Sequence, residues 1–190
     1  MPRFTLLILT FAFGLQRLAA TAHGGVVGEV ASYGQKDIIS FSELREEAGP
    51  KEKPLRETLK GQALVDQIEL NRKEIVETMI DRILILQEAR SKGIELPYEA
   101  ADVRVEAVIK EKFAGNRLAF ERHLAAEGWT VEKFRTRESE EILVEQRREH
   151  AREGAATDED AQRQETDWIK SLRQHAYIKV FYPLYPDVLD

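Results

Sequence analysis

Hydrophobic and polar positions follow two rhythms along this chain, a short one near the start and the end and a helical one between. Val26-Val27-Gly28-Glu29-Val30-Ala31 and Asp37-Ile38-Ile39-Ser40-Phe41 are brief β-branched runs. They flank the turn-forming stretch Ser32-Tyr33-Gly34-Gln35-Lys36, which predicts a small hairpin. Ser40 or Ser42 then caps a short helix through Glu47, with Glu43 placed as in a capping box, and Gly49-Pro50 is expected to end it.

From Pro54 to Arg90 there is no proline and one glycine, Gly61, so a long helix is predicted. Ile68, Ile75, Val76, Met79, Ile80, Ile83, Leu84 and Leu86 recur along it, most densely after Ile75, and that half is expected to be the more buried. Gly93 is placed as a C-terminal cap and Pro97 at the first turn of the next helix, whose Val103, Ala107, Val108 and Phe113 are expected inward. Asn116 caps a helix with Leu118, Phe120 and Leu124, closed by Gly128; Thr130 caps another with Val131, Phe134, Ile142 and Leu143. Gly154-Ala155-Ala156 breaks it. Thr157 caps a last helix with the acidic first turn Asp158-Glu159-Asp160 that a helix dipole favours, and Trp168, Ile169 and Leu172 give it an apolar face. Ala176 to Phe181 then alternates as a strand, expected to pair with the hairpin. The fold class expected is mainly α: a helical module with a small β-hairpin joined by a C-terminal strand.

The first segment changes the picture by giving an address. Arg3 precedes an apolar run from Phe4 to Leu15, and Ala20 and Ala22 satisfy the small-x-small rule of signal peptidase. The run is shorter than the ~20 apolar residues a membrane span needs. Residues 1–22 are therefore read as a signal peptide cleaved after Ala22, leaving no stable membrane anchor, and residues 23–190 as one domain. Its parts are a hairpin with helices over 26–153 and a helix and strand over 157–182. Cleavage removes Arg3 and Arg17 and no acid, taking the formal charge from −6 to −8. An acidic surface is a poor one for nucleic acid, which draws on clustered Lys and Arg. With no cysteine, neither disulfides nor thiolate chemistry is available.

The polar residues do not assemble into a catalyst. His123, His150 and His175 sit among Arg, Glu and Gln at helical spacing, as solvated surface histidines do, and His23 lies beside the cleavage site. No His-x-x-x-His pair exists, and no metal-ligand rhythm. Glu138, Glu140, Glu141 and Glu145 alternate with Arg135, Arg137, Arg147 and Arg148 as exposed ion-pair ladders. Gly24-Gly25 and Gly28 lack the lysine-serine ending of a phosphate loop. No catalytic residue, metal site or cofactor is expected.

Four segments in order carry a resemblance. Val30-Ala31-Ser32-Tyr33-Gly34-Gln35-Lys36-Asp37-Ile38-Ile39-Ser40-Phe41-Ser42-Glu43-Leu44 resembles the opening of the SurA family of periplasmic chaperones and peptidyl-prolyl isomerases. Met79-Ile80-Asp81-Arg82-Ile83-Leu84-Ile85-Leu86-Gln87-Glu88-Ala89, followed by Lys92-Gly93-Ile94, is similar to the end of that family's long helix. The stretch from Phe120 to Arg135 is similar to its next two helices, and Trp168 to Val180 to its closing helix and strand. The chain departs from the family at Ala151–Thr157, a link with no room for a parvulin-type isomerase domain, since domains need ~50 residues or more. It also has Leu96-Pro97-Tyr98-Glu99 where the family has a more acidic cap, and Arg56–Arg72 matches no family segment clearly.

The resemblance implies a periplasmic, ATP-independent holdase that binds unfolded polypeptides, outer-membrane proteins among them, through apolar surfaces and without catalysis. The candidate polypeptide-binding residues on this chain's apolar positions are Met79, Ile83, Leu86, Phe134, Tyr182 and Tyr185, with core packing the competing role for most of them. The alternative is a structural subunit or scaffold pairing with a partner protein. A third reading, prolyl isomerisation, predicts accelerated proline-limited refolding, which is not expected.

Overall fold

The computed structural model describes residues 25–181 and Leu184. Residues 1–22, Tyr182 and Tyr185 lie outside the described residues, and with them the cleavage site at Ala22. Strands β1 (Val26–Ser32) and β2 (Gln35–Ser40) form the expected hairpin, with a turn of only two residues, Tyr33 and Gly34. Both have positive φ, +50° and +72°, the mirror-image turn whose twist matches two right-twisted strands. Strand β3 (Tyr177–Val180) pairs antiparallel with the other edge of β1, so Val30 lies between Asp37 and Ile178 and the strand order is β2-β1-β3.

Helix α1 spans Phe41–Thr58. Its capping box is present: the Ser40 hydroxyl accepts from the Glu43 N–H at 3.2 Å, and Glu43 accepts from the Ser40 N–H at 2.8 Å. The expected stop at Gly49-Pro50 does not occur. Pro50 and Pro54 remove the donors for the carbonyls of Glu46 and Pro50. Residues 46, 50 and 54 all lie on the exposed face, where water can take over those carbonyls, while Leu44, Ala48 and Glu52 are buried on the opposite face. Packing on one side holds a helix that the prolines tax only on the other.

The long helix predicted from Pro54 is divided. Leu59 and Lys60 are extended, Gly61 takes φ +58°, and α2 (Gly61–Ser91) folds back along α1. The Ile75–Ala89 half carries most of its buried side chains, as expected. Gln87, with 0% exposure, fastens the hairpin to α2: its amide donates to the Val30 carbonyl (3.2 Å) and to Asp37 (2.7 Å), and its side-chain oxygen accepts from Ser32 (2.5 Å).

Helices α3 (Tyr98–Phe113), α4 (Arg117–Ala126), α5 (Val131–Arg152) and α6 (Asp158–Gln174) complete the order. The caps at Asn116, Thr130 and Thr157 all accept backbone hydrogen bonds. Pro97 stands just before α3, and Gly93 closes α2 with φ +69°. The inward face of α3 differs from expectation. Val103 is 72% exposed and Ala107 is exposed, while Ala101, Val105 and Ile109 are buried; Val108 and Phe113 are half-buried, as expected. Small and β-branched residues occupy both faces, so hydrophobicity alone could not phase the helix. Ion pairs from Asp102 to Arg135 and from Arg104 to Glu138 and Glu145 set its rotation against α5.

Two cores result. The large one joins the sheet, α1, α2, the second half of α5 and α6, around Val30, Ile39, Leu44, Leu84, Leu143 and Leu172. The small one joins α3, α4 and the start of α5 around Val105, Ile109, Phe120 and Leu124. Helix α5 belongs to both.

Candidate functional site

Along α2, Met79, Ile83, Leu86 and Arg90 recur every three or four residues and so form one stripe. The stripe flanks β2. Met79, Ile83 and Leu86 line a groove of about 160 Å³ with Ile38 and Ile39, and its rim carries Asp37, Glu43, Arg82, Arg90 and Glu140. Met79 and Ile83 are half-buried, and Leu86, 4% exposed, contributes only its edge. The rim charges are paired: Arg82 donates to Glu140 at 2.7 Å, Arg90 meets Asp37 at 3.4 Å, and Glu43 is engaged by its own helix cap.

Met79 and Arg82 also line a neighbouring hollow of about 440 Å³ with Ile75 and Val144, bounded by Lys51, Arg137 and Arg148. Arg137 continues the line into two further hollows, about 310 and 420 Å³, both bordered by Glu46 and Trp129. A discontinuous cleft therefore runs between α1 and α5, from the strand edge to the small core. Phe134 lies at its far end, half-buried, edge-on to Phe120 (5.4 Å between centroids) and to Trp129 (6.4 Å). Lys133 covers the Trp129 ring at 4.0 Å.

Three of the sequence-predicted binding residues, Met79, Ile83 and Leu86, thus share one groove, and Phe134 stands apart in the same cleft. Tyr182 and Tyr185 lie outside the described residues. Ile38 and Trp129 were missed. Adjacent isoleucines at 38 and 39 on an alternating strand are the signal for the first, because one of them must face outward.

Electrostatics fix the cleft wall. Burial pushes the Arg137 guanidinium toward losing its proton, but Glu47 on α1 and Glu141 outweigh it and hold its pKa above the ordinary arginine value. Glu165 of α6, 4% exposed, receives Arg148 and Arg152 of α5. Burial alone pushes its carboxyl up; hydrogen bonds from the two arginines overcome this and bring it below the usual carboxylate value. A carboxyl lowered by folding contributes stability above its unfolded pKa of ~4.3 and loses it as pH falls through the folded value. The urea midpoint is therefore expected to fall on acidification from pH 7 to pH 3, and less steeply in Glu165→Gln than in the wild type. Equal slopes would remove Glu165 from the account.

Arg152 and Asp158 bound the link between α5 and α6, which holds no further domain. Among the described residues no helix is long and apolar enough to cross a membrane. No curated protein matches the chain. A family model described as the SurA-like N-terminal domain matches residues 3–148, ending inside α5, so that α6 and β3 fall beyond it.

Proposed function

Because the chain belongs to the SurA-like N-terminal domain family, we propose that it is an ATP-independent holdase of the periplasm, reached by the signal peptide at residues 1–22. It holds unfolded polypeptides, outer-membrane proteins among them, in the cleft between α1 and α5 and performs no catalysis on them. One observation carries this reading: Met79 and Ile83, half-buried, and the edge of Leu86 line a groove beside β2 under a charged rim. Apolar side chains of a client gain dispersion and burial there without any chemistry. Several shallow sites in series give weak, multi-point binding, and a binder selective for the unfolded state lowers the free concentration of that state.

Light scattering of a denatured β-barrel protein on dilution tests this. The wild-type chain at a few-fold excess is expected to suppress aggregation, and Met79→Gln with Ile83→Gln to lose at least half of the suppression while circular dichroism shows it still folded at the assay temperature, with a melting temperature lowered by the lost core contacts. No suppression by the wild type overturns the proposal. A single complex of fixed stoichiometry with a folded partner would favour a scaffold instead.

A further inference from the structure

Among the described residues β2 is an edge strand whose outer side is open, and the apolar stripe of α2 runs beside it. The hairpin geometry decides which backbone groups face out. With a two-residue turn closed by Ser32 and Gln35, the hydrogen-bonded pairs alternate along the ladder through Val30–Asp37. The other side of β1 agrees, since Val27 turns its carbonyl away from β2 and accepts from the Phe181 N–H at 2.9 Å. Lys36 and Ile38 therefore turn their N–H and C=O groups away from β1, and no described residue meets them. Ile38 is 51% exposed on this edge. The strand has no proline and no bulge of its own; the irregularity of the hairpin lies in β1, between Val26 and Gly28. Edges left this way are templates for another strand.

What lies beneath that edge matters as much. Helix α2 packs mainly under β1, and a helix is ~10 Å across, about two strand spacings of ~4.8 Å. Its flank therefore reaches about as far as β2, and Met79, Ile83 and Leu86 border, with Ile38 and Ile39, the groove that the inward side chains of a further strand would face. From Met79 to Arg90 the stripe is ~16 Å long, the length of about five extended residues. The rim charges are already paired among themselves, so charge does not choose the occupant. Backbone groups spaced two residues apart, over an apolar floor, select an extended chain with apolar side chains at alternate positions.

We propose that a non-native polypeptide segment adds to β2 as a fourth strand, pairing its backbone with Lys36 and Ile38 and seating alternate apolar side chains on Met79, Ile83 and Leu86. This rests on the holdase reading and specifies how a client is gripped. Such a grip would tolerate varied sequences, because a ladder reads backbone, while asking for one apolar face.

The test uses the full chain and a short fluorescent peptide of alternating valine and threonine, beside an analogue N-methylated at every residue that would donate to β2. Binding of the parent peptide is expected to slow amide exchange at Lys36 and Ile38 about tenfold, and the methylated analogue to bind at least tenfold more weakly. Ile38→Pro removes an outward donor and leaves the β1 ladder intact, so it is expected to weaken the parent peptide about tenfold as well. Equal binding of the two peptides overturns the inference, whatever the variant does. Protection of Lys36 and Ile38 that rises with protein concentration and needs no peptide also overturns it, and assigns the edge to a second copy of the chain. If aggregation is suppressed but the peptide shows no backbone dependence, this inference fails and the holdase reading stands; the reverse pattern separates them the other way.

Discussion

Arg72→Ala is expected to lower the unfolding free energy by about 3–5 kcal/mol, near the largest effect a single substitution has in a domain of this size. The guanidinium is 0% exposed and makes two bonds to Glu52, Nε to Oε1 at 2.5 Å and Nη2 to Oε2 at 3.0 Å. A third, at 2.7 Å, goes to the main-chain carbonyl of Leu184, itself fully buried, and the Phe41 ring lies 5.4 Å away. One side chain thus fastens α1, α2 and the end of the described chain. Truncation leaves the Glu52 carboxylate buried with Arg56 alone, the Leu184 carbonyl without its donor, and a hole beside Phe41. Arg72→Lys keeps the charge and loses the paired geometry, so it should fall between the two. Exposed pairs such as Lys170–Asp167 make the contrast, since each is worth ~1 kcal/mol or less. Urea denaturation at pH 7 measures all three. A loss under ~1 kcal/mol for Arg72→Ala would show that the clamp is not what holds these elements.

Phe120→Ala is expected to cost a similar ~3–5 kcal/mol, but locally. Phe120 is 1% exposed and sits edge-on between Phe113 (5.5 Å) and Phe134 (5.4 Å). Among the described residues the small core has four buried members, Val105, Ile109, Phe120 and Leu124, so few contacts remain to compensate. Helices α3 and α4 are expected to open as a unit while the sheet, α2 and α6 stay folded. Amide exchange should then rise across residues 98–126 and hold steady in β1 and the second half of α2. Uniform acceleration over the whole chain would show that the two cores unfold together.

These two sites show how far the sequence could be read. Caps and turns were legible because they are local: Ser40 with Glu43, Asn116, Thr130, Thr157 and Gly93 act through their own neighbours. The strand at Tyr177–Val180 and its β1 partner were legible because an alternating segment needs an edge, and the hairpin offers one. Arg72 was not legible, since a single arginine in a charged helix gives no sign that Glu52 and Leu184 converge on it. The continuation of α1 through two prolines was hidden for a related reason. Proline's local cost is visible in sequence, whereas the burial of Leu44, Ala48 and Glu52 that offsets it is a property of the packed structure. At the candidate site, helical spacing puts Met79, Ile83 and Leu86 on one face of α2, where the structure has them lining one groove, and it could not say that β2 would lie alongside them.

The pairing of β1 with β3 also sets an order in time. Val30 leaves the ribosome early, but Ile178, its partner, follows roughly 150 residues later, a wait on the order of 8–30 s at about 5–20 residues per second. In whichever compartment the chain folds, the hairpin and the helices behind it can form without the last segment, and the last side of the sheet cannot. A nascent chain stalled before residue 177 should hence carry β1 paired with β2 on one side and bare on the other, and only the arrival of Tyr177–Val180 completes the sheet.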